Sequence, residues 1–231
     1  MAPTTENAIL QLKPDVDITT GDAAATWRAT LATISAQPGL QRIAWGQSLE
    51  NPHIVQMLID WDDPSSHRAF QQTPAYTTFL ANISALLASA PRLTHHAFSP
   101  TTSDSSPSSP SPLPAITTAS PITEVISAYA PLSQPPDALA AAWAEFAKVA
   151  AAHAAGLRGS AGAWADDEDE FEHASLREAG GKGRLFVAVV GWDGVEAHMA
   201  YRETAAFRES IGKVRAAVSG IEMHHVDFRE A

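Results

Sequence analysis

Nine histidines, 26 acidic residues and no cysteine set the chemistry open to this 231-residue chain. Without thiols, disulfides, thiolate metal sites and cysteine nucleophiles are excluded. Imidazole, carboxylate and aromatic chemistry remain. Two histidines stand out by position. His67 follows Trp61 by six residues and precedes Phe70 by three, and His198 stands in the same relation to Trp192 and Tyr201. A three-residue spacing on a helix sets each imidazole beside an apolar stripe, pointing toward a sheet. An imidazole in a cavity there, titrating near neutrality, can remove a proton from a phenol or an activated carbon. The other role open to it is structural, as a partner for the preceding turn near Asp62 or Asp193, because the first turn of a helix has amides to satisfy.

Two further pairs, His95-His96 and His224-His225, lie on predicted strands. Neighbours on a strand face opposite ways, so one of each pair faces the helices, and a one-residue change of register reverses which. His96 and His225 are taken as the cavity-facing members. Adjacent strand residues do not readily ligate one ion, so no metal is expected. Trp45, Trp61, Trp164 and Trp192, with Phe70, Tyr76 and Tyr201, are candidates to line a pocket for an aromatic ligand, and core packing is the default role for the tryptophans. Tyr76 aligns with Phe207, so its hydroxyl exists in one copy. No Ser-His-Asp, paired-carboxylate or phosphate-loop pattern is visible. Asp60, Asp62 and Asp63 cluster at a strand end, where helix capping accounts for them.

The elements that must position these residues occur twice. Val55–Asp62 is matched by Leu185–Asp193, and the intervals Trp61 to Tyr76 and Trp192 to Phe207 are both fifteen residues. A repeat of this length means a duplicated domain. The first copy reads as a strand at 7–13, a helix from Asp22 to about 36, strands at 40–49 and 54–59, one helix from Asp62 or Asp63 to Pro91, and a strand at 93–98. That is the β-α-β-β-α-β order of a ferredoxin-like fold. The division is residues 1–98, a Ser/Pro-rich linker at 99–120, and residues 121–231. The second copy carries about twelve extra residues between Trp164 and Trp192, including the acidic run at 166–172, read as a longer solvated hairpin loop.

A net charge of −11 argues against nucleic acid and against an anionic membrane surface. No apolar run has the length of a membrane span and no secretory signal is seen, so a cytoplasmic location is expected.

Residues 6–98 and 122–229 resemble the antibiotic-biosynthesis-monooxygenase type of dimeric α+β barrel. The resemblance rests on an apolar strand ending Ile59-Asp60-Trp61-Asp62, a helix opening Pro64-Ser-Ser-His67-Arg-Ala-Phe70, and their counterparts Gly191-Trp192-Asp193 and His198; fungal members are the most similar. It implies an α+β fold in which two ferredoxin-like repeats form a dimeric-type α+β barrel as an intramolecular pseudo-dimer, with a homodimer pairing repeats across chains as the alternative. It further implies a cofactor-independent oxygenase of secondary metabolism, acting on a small aromatic or polyketide-like substrate through a histidine base. A cyclase or isomerase using the same base, or a non-catalytic binding barrel, are the alternatives the superfamily offers.

Overall fold

A computed structural model of the chain describes residues 3–100, 111–166 and 171–231. It separates into two compact units, one comprising Met1–Ala97 with Phe228–Ala231 and the other Phe98–Asp227.

The first unit runs β1 (Thr4–Gln11), α1 (Gly21–Ser35), β2 (Leu40–Gln47), β3 (Ile54–Trp61), α2 (Pro64–Gln71), α3 (Pro74–Leu86) and β4 (Arg92–His96). β3 is buried along nearly its whole length, which its run from Val55 to Ile59, apolar apart from Gln56, explains. It pairs antiparallel with β1 and β2, and β1 pairs with β4. Alternation along β1 sends Glu6, Ala8 and Leu10 to one face and Thr5, Asn7 and Ile9 to the other. α1 packs its Trp27, Leu31 and Ile34 into the core on the first of these faces. The opposite face carries a polar network. Thr5 Oγ1 donates to Asp60 (2.6 Å), Arg42 Nε pairs with the other oxygen of Asp60 (2.8 Å), and Asn7 Nδ2 donates to Thr94 (3.2 Å).

Three expectations change here. The helix from Asp63 to Pro91 is two helices, because Pro74 has no amide to continue the first and the Thr73 hydroxyl caps the second by accepting from Tyr76 N. α1 is preceded by Thr20 at its N-cap, with Asp22 in the first turn and not capping it. Asp60 is an ion-pair partner, not a cap; Asp63 is the cap of α2, accepting from Ser65 N at 2.8 Å.

The second unit runs β5 (Ser99–Pro100), α4 (Leu113–Ile116), β6 (Ile122–Pro131), α5 (Pro136–His153), β7 (Leu157–Trp164), β8 (Phe171–Glu172), a 3₁₀ helix (Ala174–Ala179), β9 (Lys182–Trp192), α6 (Val195–Arg202), α7 (Ala205–Ala216) and β10 (Gly220–Val226). Its strand order is β10-β6-β9-β7-β5. The last strand of the chain, β11 (Arg229–Glu230), pairs with β2 in the first unit's sheet, whose order is β11-β2-β3-β1-β4.

The stretch expected to be a linker is partly structured. Residues 101–110 lie outside the described residues, but Leu113, Ile116 and Thr117 are buried, and Thr123 Oγ1 donates to Ile116 O at 3.0 Å. Of the extra residues in the second copy, 167–170 lie outside the described residues, and the rest form β8 and the 3₁₀ helix. At each helix-to-strand turn a glycine has positive φ, Gly39 (83°) and Gly156 (80°), and its carbonyl accepts from the residue just past the long central strand, Asp62 N or Asp193 N, both at 2.8 Å.

Candidate active site

In the first unit, Trp61 closes β3 and α2 begins three residues later, which brings His67 back over the indole. The two rings stack at 5.4 Å with 14° between planes. The β1–β3 and β1–β4 ladders set Glu6 opposite Ile59 and His95. Glu6, Trp61, His67 and His95 therefore converge on the helix-facing side of the sheet. Trp61 Nε1–H donates to Glu6 Oε2 at 3.2 Å, His67 Nε2 lies 3.5 Å from the same oxygen, and His67 Nδ1 is 3.0 Å from His95 Nε2. The Gln71 amide nitrogen is 3.3 Å from His67 Nε2. Glu6 and His67 are buried.

The second unit repeats the arrangement. Trp192 and His198 stack at 5.1 Å, Trp192 Nε1–H donates to Glu124 at 3.2 Å, His198 Nε2 lies 3.5 Å from Glu124 Oε2, and His198 Nδ1 is 2.8 Å from His225 Nε2. Glu124 faces His225 across the β6–β10 ladder, as Glu6 faces His95.

Each cluster opens into a cavity between helices and sheet. The first measures about 270 Å³ and is lined by Glu6, His67, Phe70, Tyr76, Phe79 and aliphatic side chains from Ala8 to Leu93. The second measures about 260 Å³ and is lined by Glu124, His198, Trp192, Trp143, Phe207 and aliphatic neighbours, with Arg202 and Arg215. Burial, helped by the negative Glu6, raises the Tyr76 hydroxyl above its usual pKa, with the Gln71 side chain pulling the other way. Burial likewise raises Tyr201, opposed by the Ser210 hydroxyl.

Residues 10–82 match the model of the antibiotic biosynthesis monooxygenase family. Over that stretch the first unit is similar to an antibiotic biosynthesis monooxygenase (ABM) domain. Solved structures share the fold over the whole chain. An anthrone oxidase-like protein superposes with a TM-score of 0.66 at 16% identity, covering 99% of this chain and 93% of its own. A candidate monooxygenase from Lactobacillus acidophilus NCFM gives 0.62 at 8% identity, covering 100% and 96%. Another from Fusobacterium nucleatum subsp. nucleatum gives 0.58 at 10%, covering 99% and 94%. No curated protein matches by sequence. No helix among the described residues is long and apolar enough to cross a membrane.

Several expectations from the sequence change at the two sites. His95, not His96, meets His67; His96 points to the other face, 2.8 Å from Thr94 Oγ1. The counterpart of His225 is thus His95, and the repeat slips by one residue at this strand. Phe70 and Tyr76 line the first cavity and Trp192 the second. Trp61 lies beneath His67. Trp45, Trp164 and Tyr201 do not line either cavity. Trp45 packs edge-on against Trp27 with Arg229 over its face, Trp164 meets Phe186, and Tyr201 is packed against Trp192 and Phe207. Glu6, Glu124 and His95 were not among the residues assigned. Glu6, His67 and His95 each offer a donor atom within 4.8 Å of the others. Because the three come from different elements, the steric argument against ligation by adjacent strand histidines does not apply to them.

Proposed function

We propose that both units are cofactor-independent oxygenase sites for small aromatic, polyketide-like molecules of secondary metabolism that carry an acidic C–H or O–H group. The observation that carries this reading is a buried imidazole, His67 or His198, lining an apolar cavity with a carboxylate oxygen 3.5 Å from its Nε2. Assigning the Nδ1 proton of His67 as donor to His95 makes Nε2 the basic nitrogen; its lone pair accepts from the Gln71 amide, and the substrate displaces that contact when it delivers its proton. Glu6 then stabilises the imidazolium in a poorly solvated site, where a fixed charge counts for more than in water. The substrate is left as an electron-rich anion in dry surroundings, which favours electron transfer to molecular oxygen. The same assignment holds for His198, His225 and Glu124.

The likeness to an anthrone oxidase-like fold suggests anthrone as a probe. Its methylene C–H bond breaks and the proton passes to the imidazole. One atom of dioxygen becomes the new carbonyl oxygen, and the other leaves as water with the two methylene hydrogens, giving anthraquinone. Anthrone incubated with the protein under air and under argon, followed by mass spectrometry, tests the reading. Air-dependent gain of one oxygen and loss of two hydrogens, abolished in the double variant His67→Ala/His198→Ala, is the expected result. Conversion untouched by the double variant overturns the histidine base. A change that persists under argon points instead to a cyclase or isomerase using the same base.

A further inference from the structure

The two cavities differ at places that correspond. Four residues beyond the site histidine stands Gln71 in the first unit and Arg202 in the second. Four residues before the site tryptophan stands Met57 in the first and Ala188 in the second. Arg202 and Arg215 both border the second cavity, whereas no lysine or arginine lines the first. Among the described residues Arg202 reaches the Met199 sulphur alone, at 3.9 Å, and Arg215 is exposed on α7. Among the described residues neither guanidinium is ion-paired. In a chain of net charge −11, two such cations at one apolar cavity are a local reversal of sign. The carboxylate facing this cavity, Glu124, is engaged by Trp192 and His198.

We infer that the second cavity is selective for an amphipathic organic anion, an aromatic body buried against Trp143 and Phe207 with a carboxylate held by Arg202 and Arg215, while the first takes a neutral phenolic counterpart. Arg202 is one helical turn from His198, about 6 Å along the axis. A fused aromatic ring spans that distance with its carboxylate at the arginines and its far edge at the imidazole. The planar guanidinium fork matches a carboxylate in two hydrogen bonds, which the amide of Gln71 does not reproduce. This inference rests on reading the cavities as substrate pockets, but not on oxygenation.

Calorimetric titration of the full chain with 2-naphthoate and with 2-naphthol at neutral pH separates the two. Arg202→Gln installs the residue that the first unit already uses there. It should weaken naphthoate roughly five- to tenfold and leave naphthol within about twofold. Ala188→Met, again the first unit's own residue, should fill the second cavity and block naphthoate. Naphthoate affinity should fall as salt is raised. No naphthoate binding, an equal loss of both probes in Arg202→Gln, or an unchanged naphthoate affinity in Arg202→Gln/Arg215→Gln overturns the inference. The titration needs no turnover, so failure of anthrone oxidation leaves its outcome independent.

Discussion

Glu6 and His95 face each other across the β1–β4 ladder, and His67, arriving from a helix, is within 3.5 Å of the first and 3.0 Å of the second. A strand pair fixes the carboxylate and one imidazole, and a helix delivers the other. The same relation joins Glu124, His225 and His198. Its recurrence in two units whose surrounding cavities have diverged argues that the charged cluster is the part under common constraint.

Replacing the carboxylate without changing its shape isolates its electrostatic part. Glu6→Gln/Glu124→Gln should lower kcat for anthrone oxidation on the order of 10²-fold with KM little changed, as loss of a transition-state interaction requires. Steady-state oxygen uptake checks this. A rise in KM alone would assign the carboxylates to binding.

Trp61 and Trp192 hold those carboxylates through their indole N–H groups. Trp61→Phe keeps most of the apolar volume and removes the donor. The expected destabilisation is about 1–3 kcal/mol, or about 2–4 °C in Tm per kcal/mol for a chain of this size. Thermal unfolding followed by circular dichroism measures it. Trp192→Phe should behave alike.

Gly39 and Gly156 have φ of 83° and 80°, where an added Cβ would collide with Ser66 and Asp62 in one unit and approach Ala197 in the other. Gly39→Ala and Gly156→Ala should each cost at least about 1–2 kcal/mol. Denaturant melts of the two variants check this, with Gly212→Ala as a control, since nothing surrounds that position.

Tyr76 and Tyr201 are both raised by burial. A raised folded-state pKa means the folded protein keeps the phenol proton more tightly than the unfolded chain. The associated stability is whole below the unfolded tyrosine value of about 10 and is lost as pH climbs through the raised folded values. Ultraviolet titration should show tyrosinate absorbance arriving late relative to unfolded protein, with the late component reduced in Tyr76→Phe and in Tyr201→Phe. Titration of all tyrosines at the unfolded value would contradict this.

Much of the frame was legible because its signals are local. The six-residue step from tryptophan to histidine repeats in both copies, and the apolar run of β3 needs no tertiary information. The site was legible only in part. Glu6 lies in the first residues of β1, whose start was read three residues too late, and a lone glutamate at a strand end carries no pattern. The choice between His95 and His96 depends on a one-residue register, which becomes known only from the pairing of β4 with Glu6. The break at Thr73-Pro74 was readable as a cap followed by proline, but the apolar stripe from Phe70 to Leu87 runs across it. Two-residue strands such as Arg229–Glu230 are too short to show periodicity at all.

The central claim is that His67 and His198 remove the substrate's proton. It is tested most directly by the exchange of anthrone's methylene hydrogens for deuterium under argon, followed by proton NMR, where oxygen plays no part. The account predicts exchange well above the buffer rate for the native protein and a loss of about 10²- to 10⁴-fold in His67→Ala/His198→Ala. Because anthrone is neutral and the second cavity favours an anion, His67→Ala should lose the larger share of the exchange and His198→Ala the smaller. Exchange in the double variant at the native rate would contradict it.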